Sequence, residues 1–227
     1  WLDRAELRRR TRVAVIPMLI LMLAFSMFSS FLINTLIGLG VSRESLSSFF
    51  GDPAISSVYS VVLACFFFGV PFALSAKLSG FRISELVPYG VPKKGTVLPM
   101  LLLGISFCGF ANIMSGIADN FFSGLGFEYS LPESDVPQGA LGFAAVSVLS
   151  TAVEPGLMEE FAMRGITLGL FRRWGDGFAI IVSAVLFGLM HGNFTQIPFA
   201  FLVGLVLGYI RIKTGSLWIA CAVHSIN

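Results

Sequence analysis

An all-α fold, a polytopic bundle of transmembrane helices, is predicted by three observations: long apolar runs, sparse charge, and basic residues gathered in alternate loops. The 227 residues are 56% hydrophobic and 12% charged, with 23 phenylalanines and a mean hydropathy of +0.85. Soluble domains carry about 25% charged residues. No polar linker divides the chain, so 1–227 reads as one membrane domain.

The elements follow in order. Residues 1–12 (WLDRAELRRRTR) form a basic amphipathic lead expected at the membrane surface. Apolar spans follow at 13–39, 54–76, 96–118, 139–170, 178–193, 197–210 and 216–227. They give about seven helices, the last one truncated, with the true termini expected beyond Trp1 and Asn227. Gly51-Asp52-Pro53 marks the turn before the second span, and Gly, Pro and Ser punctuate most other joints. Spans five and six are short and joined by the uncharged GNFTQ, where Asn193 and Gln196 are expected to cap the turn. The first run is too long, and lacks the small-residue site, for a cleavable signal peptide. Gly204 and Gly208 have the spacing of a close helix contact, and the FFFG run at 66–69 reads as lipid-facing or packing surface. Cys65, Cys108 and Cys221 lie in apolar runs without metal-like spacing and read as buried free thiols.

If every span crosses, thirteen of the fifteen basic residues gather on one side. Five lie in the lead, and the rest are Lys77, Arg82, Lys93, Lys94, Arg172, Arg173, Arg211 and Lys213. The alternate loops hold Arg43 with Glu44, Asp52, Asp119, Glu128, Glu133 and Asp135. This asymmetry places the N-terminus in the cytoplasm, and the compact length without eukaryotic targeting signals favours a bacterial plasma membrane. No basic stripe interleaved with aromatics is present, which argues against nucleic acid as a partner. Membrane lipids are the expected partners.

Within this apolar frame stand Glu159, Glu160 and Arg164 on the fourth span, His191 on the fifth and His224 on the seventh. At 1.5 Å per residue they lie about 20, 22 and 17 Å from their loop boundaries, a common depth near mid-bilayer. An ionisable group there costs roughly 3 kcal/mol or more. Glu160 and Arg164 are four apart and share a face, so Glu160 is expected to neutralise Arg164. Glu159, turned by about 100°, is left free to face water. A structural ion cluster binding helices together is the bland alternative, and a lone intramembrane histidine more often bonds between helices than catalyses. Two histidines at the glutamates' depth favour chemistry: Glu159 as general base, His191 orienting the water, His224 donating to a developing oxyanion. Glu154, beside Pro155, reads as relief for a proline kink, with service to the site as its alternative.

EEFAMR at 159–164 matches EExxxR, FGLMH at 187–191 matches FxxxH, and His224 with Asn227 looks like the start of an HxxxN element. In order and spacing these resemble the CPBP family, the CAAX prenyl proteases of type II and bacteriocin-processing proteins. The resemblance covers 139–227, the expected catalytic core. It implies an intramembrane endopeptidase in which Glu159 and His191 activate water, with a peptide or lipidated protein as its partner. His224 and an asparagine would stabilise the oxyanion, with Glu160 and Arg164 as the supporting pair. The family asparagine stands four after the histidine, so Asn227, at three, is an imperfect substitute. A metal-free mechanism is favoured over zinc, whose ligands would be Glu159, His191 and His224, because no HExxH helix is present. A proton-coupled transporter and a non-catalytic immunity or scaffold protein are the alternative functions.

Overall fold

The computed structural model describes residues 3–127, 145, 148–194 and 196–227. All regular structure among them is helical. Helix α1 (Arg4–Gly38) begins where Asp3 accepts from the amides of Ala5 and Glu6. It ends before Gly40, whose φ of 94° a side chain would resist. The basic lead is therefore not a separate element: no breaker lies between it and the first span, so both wind into one helix. Its two apolar halves, Arg4–Leu23 and Met27–Gly38, are bent by 41°.

A short α2 (Arg43–Gly51), capped by Ser42, occupies the first loop. Asp52 caps α3 (Pro53–Ala64), with Pro53 in the first turn where its missing N–H costs nothing. α3 continues through a π-helical turn, Cys65–Gly69, into α4 (Val70–Leu78). Pro71 sits just past that turn, and a widened turn relieves the clash between a proline ring and the preceding carbonyls. The device recurs at Leu149–Val153, a π-helical turn directly before Pro155. α5 (Ile83–Leu86) and α6 (Lys94–Gly124) follow. The fourth span is α7 (Glu154–Glu160), a third π-helical segment (Phe161–Thr167), α8 (Leu168–Phe171) and a 3₁₀ turn (Arg172–Trp174). Then come α9 (Asp176–Met190), α10 (Gln196–Thr214) and α11 (Trp218–Ile226).

The protein is an integral-membrane helical bundle. Among the described residues, three helices are long and apolar enough to cross by themselves: Ala54–Leu78, Lys94–Gly124 and Gln196–Thr214; the two halves of α1 add a fourth if they form one bent span. Asp176–Met190 is apolar but only 15 residues long. Of the seven expected spans, the fourth begins outside the described residues, as do Glu128, Glu133 and Asp135.

Besides a small apolar cluster of Leu21, Leu63 and Phe67, the interior holds two large ones. One joins Val13, Phe72, Ala76, Met163, Ile166, Phe187 and Cys221, so α1 and α4 wrap the fourth span. The other joins Cys108, Val203, Leu207, Ile210 and Val223, between α6, α10 and α11. Phe31, Phe66, Leu98, Ile113 and Phe121 point outward, as a lipid-facing shell requires. Cys65 is exposed, contrary to the expectation of three buried thiols, because it lies on the outward face that also carries Val62 and Phe66. Arg211, expected in a loop, is 3% exposed within α10. Its Nε donates to the carbonyl of Arg164 and its Nη2 to that of Leu86, because the helix runs past it to Thr214.

Close approach is bought with glycine. A Cβ on Gly204 would lie 2.9 Å from Ala184 Cα, and one on Gly208 3.2 Å from Ile180 Cγ2, so α9 and α10 pack as the spacing predicts. On α7, a Cβ at Gly156 would strike Ser225 Oγ and lie 3.1 Å from the Cys221 carbonyl of α11.

Candidate active site

α7, α9 and α11 converge on one interior point. Glu160 and Arg164 are both 0% exposed, and Arg164 Nη1 donates to Glu160 Oε1 at 2.8 Å. The guanidinium carbon stands 3.9 Å from the centre of the Phe187 ring, whose π face supplies attraction without a hydrogen bond. The π-helical segment holding Arg164 is tied to its neighbours by its carbonyls: Ser183 Oγ donates to Met163 O at 2.8 Å, and Arg211 to Arg164 O at 3.1 Å. These bonds hold a widened turn that has poor packing along its own axis.

His224 Nδ1 lies 2.9 Å from the same Glu160 Oε1. That oxygen already accepts from Arg164, so it accepts here too, and Nδ1 carries the hydrogen. The opposite nitrogen, Nε2, is thereby turned toward Glu159, 3.9 Å from its Oε2. That is too long for a direct bond and suits a small intervening group. Glu159 and His224 are each 16% exposed, in contrast to the sealed Glu160 and Arg164.

His191 closes α9. Its Nδ1 is 2.8 Å from the carbonyl of Phe187, which only accepts, so this imidazole also holds its hydrogen on Nδ1 and presents Nε2 as a lone pair. Both imidazoles stand nearly perpendicular to the Phe187 ring, His191 at 5.0 Å and His224 at 5.8 Å between centroids. Phe187 thus stands among Arg164, His191 and His224. The sequence offered it only as the first letter of FxxxH.

Glu159, Glu160, Arg164 and His224 are therefore brought together directly, and His191 through Phe187. Asn227 is exposed and lines a cavity of about 250 Å³ with Cys108, Asn112 and Val223, between α6 and α11. Asn193 Oδ1 accepts from the Gln196 amide at 2.8 Å, the turn cap expected of this pair. Among the described residues, no three His, Cys, Asp or Glu side chains are grouped to hold a metal ion. His224 Nδ1, engaged by Glu160, leaves one nitrogen for any such role.

Residues 141–227 match the family described as Rce1-like, type II CAAX prenyl endopeptidase. The C-terminal part of this chain is thus similar to the type II CAAX protease family. That family, also called CPBP, is one of peptide hydrolases, and the matched stretch contains both histidines, the glutamate pair and Arg164. The CAAX-protease match leaves α1 to α6 outside it. An uncharacterized 24.3 kDa protein of Escherichia coli is 25% identical over 148 residues, an alignment covering 63% of this chain and 63% of that protein. No solved structure matches.

Proposed function

We propose that the chain is an intramembrane endopeptidase that hydrolyses a peptide bond of a membrane-associated or prenylated substrate without a metal. The observation that carries this reading is the Glu160 to His224 bond: it fixes the imidazole so that Nε2 faces Glu159 across a gap a water or carbonyl oxygen can fill. Glu159 removes a proton from water, with His191 Nε2 accepting from the same molecule and aiming it. The resulting hydroxide attacks the substrate carbonyl. His224, doubly protonated beside Glu160, donates its Nε2–H to the oxyanion that forms. Arg164 balances the Glu160 charge, which keeps this support stable in a dry interior. Perpendicular packing on Phe187 holds both imidazole rings in place. Asn227 is assigned the oxyanion side of the site, from its position after His224.

The test is proteolysis by purified protein in liposomes, read by mass spectrometry on a peptide library containing prenylated and unprenylated CAAX peptides. Cleavage is expected and is expected to survive chelation, with Glu159→Ala lowering it by about 10²- to 10⁴-fold while the protein remains folded. Near-normal hydrolysis by Glu159→Ala would refute the assignment of the base. Loss of wild-type cleavage on chelation, restored by zinc, would refute the metal-free mechanism. Ion-driven uptake without any cleavage would instead make the protein a carrier.

A further inference from the structure

α6 and α11 touch and then part. A Cβ on Gly104 would lie 2.6 Å from Val223 Cγ2 and 3.1 Å from Ile210 Cδ1, so the helices are in close contact there. Further along α6, the same added atom on Gly109 would meet nothing within 4 Å, and the cavity of about 250 Å³ opens at this divergence. Ile105, Gly109, Val223 and Ile226 give it apolar walls, and Asn112 and Asn227 set two carboxamides among them. Protein interiors leave few voids larger than a water molecule, so a gap of this size is room for an occupant.

Polarity selects what enters. Asn112 Nδ2 donates to the Cys108 carbonyl at 3.0 Å, which leaves its Oδ1 to accept. No charged side chain lines the cavity among the described residues, so an ammonium or a carboxylate would enter it uncompensated. An uncharged group with an N–H donor at the end of an apolar stem fits on both counts. A carboxamide does so, and its oxygen can accept from Asn227 at the same time.

The cavity adjoins the reacting groups through α11, whose Val223 and Asn227 flank His224 in the chain. At about 100° per residue, Asn227 projects about 40° from Val223 and His224 about 100°, so Asn227 stands between the cavity and the imidazole. Residues three apart on a helix have Cβ atoms about 5–6 Å from each other, and consecutive Cα atoms of a bound peptide are about 3.8 Å apart. A peptide with its carbonyl at His224 Nε2 therefore brings a side chain one or two residues from the cleaved bond to the cavity mouth.

We propose that this cavity is a substrate subsite that takes a glutamine or asparagine side chain beside the cleaved bond, and that Gly109 and Asn112 set the preference. The proposal rests on the peptidase reading of the site. Gly109 supplies the room and Asn112 the acceptor. Both lie on α6, outside the stretch that matches the protease family, so selectivity and chemistry come from different parts of the chain.

The test uses the full chain in liposomes and a peptide series in which each residue near the cleaved bond is in turn Gln, Met, Lys or Ala. At one position, wild-type kcat/KM is expected to be about 10-fold or more higher for Gln than for Met or Lys. Asn112→Leu is expected to erase the preference for Gln over Met. Gly109→Leu, whose side chain begins in open space, is expected to lower the ratio of Gln to Ala by about 10- to 100-fold. A wild type indifferent to Gln at every position, or equal losses on all peptides in the two variants, overturns the subsite and leaves the peptidase reading intact. A diazirine side chain walked along the peptide and photolysed on the Glu159→Ala protein needs no turnover. Its crosslinks are expected at residues 105–112, displaced by the Gln peptide and lost in Gly109→Leu. Crosslinks scattered over the lipid-facing helices, or none, overturn the subsite. If the wild type cleaves nothing yet the crosslinks fall as expected, the subsite stands as a peptide-binding one and the peptidase reading falls.

Discussion

Arg164 shows how a single buried charge is made tolerable. It has one ion pair, one aromatic face, and two guanidinium nitrogens, Nε and Nη2, without hydrogen bonds. Removing it leaves Glu160 sealed with only His224 for company. Arg164→Ala is expected to destabilise the fold by about 3–5 kcal/mol, the usual cost of stranding a buried charge, measured as a drop in the unfolding midpoint in detergent. Arg164→Lys is expected to recover only part of it, because an ammonium cannot stack on Phe187 as a planar guanidinium does. A midpoint unchanged in Arg164→Ala would mean the pair stabilises nothing.

At the level of elements, the site is set by how closely α7 and α11 approach. Gly156 lies one turn before Glu160, and Ser225 follows His224 directly. Gly156→Ala places a methyl against Ser225 Oγ and forces the helices apart, which lengthens the Glu160 to His224 bond. Overpacking of this kind costs about 1–3 kcal/mol. Cleavage is expected to fall more steeply than stability, and Ser225→Ala in the same protein is expected to return part of the activity by removing the struck atom. An additive loss in the double variant would show that the two positions do not oppose each other. The π-helical segments act at the same scale. They sit beside prolines or hold Arg164.

For the whole molecule, the open matter of function is which face the site serves. The charge asymmetry predicts that the N-terminus and the loop after α4 face the cytoplasm. In a background with Cys65, Cys108 and Cys221 replaced by alanine, Ser79→Cys is expected to resist an impermeant thiol reagent in intact cells. Ser42→Cys is expected to react. The reverse pattern would invert the assigned topology, and reaction at both positions would remove α3 with α4 as a crossing.

The sequence by itself determined the helical membrane class, the close packing at Gly204 and Gly208, the turn cap at Asn193, and the pairing of Glu160 with Arg164. Each of these depends on hydrophobicity or on neighbours within a turn or two, which spacing along a helix reports. Only the tertiary structure decided that His224 bonds Glu160 rather than standing alone, that Phe187 contacts both imidazoles and Arg164, that Arg211 is buried, and that Glu154 is sealed and unpaired. These facts join residues tens of positions apart. Their distances follow from helix crossings and widened turns, for which a linear pattern of apolar residues carries no signal.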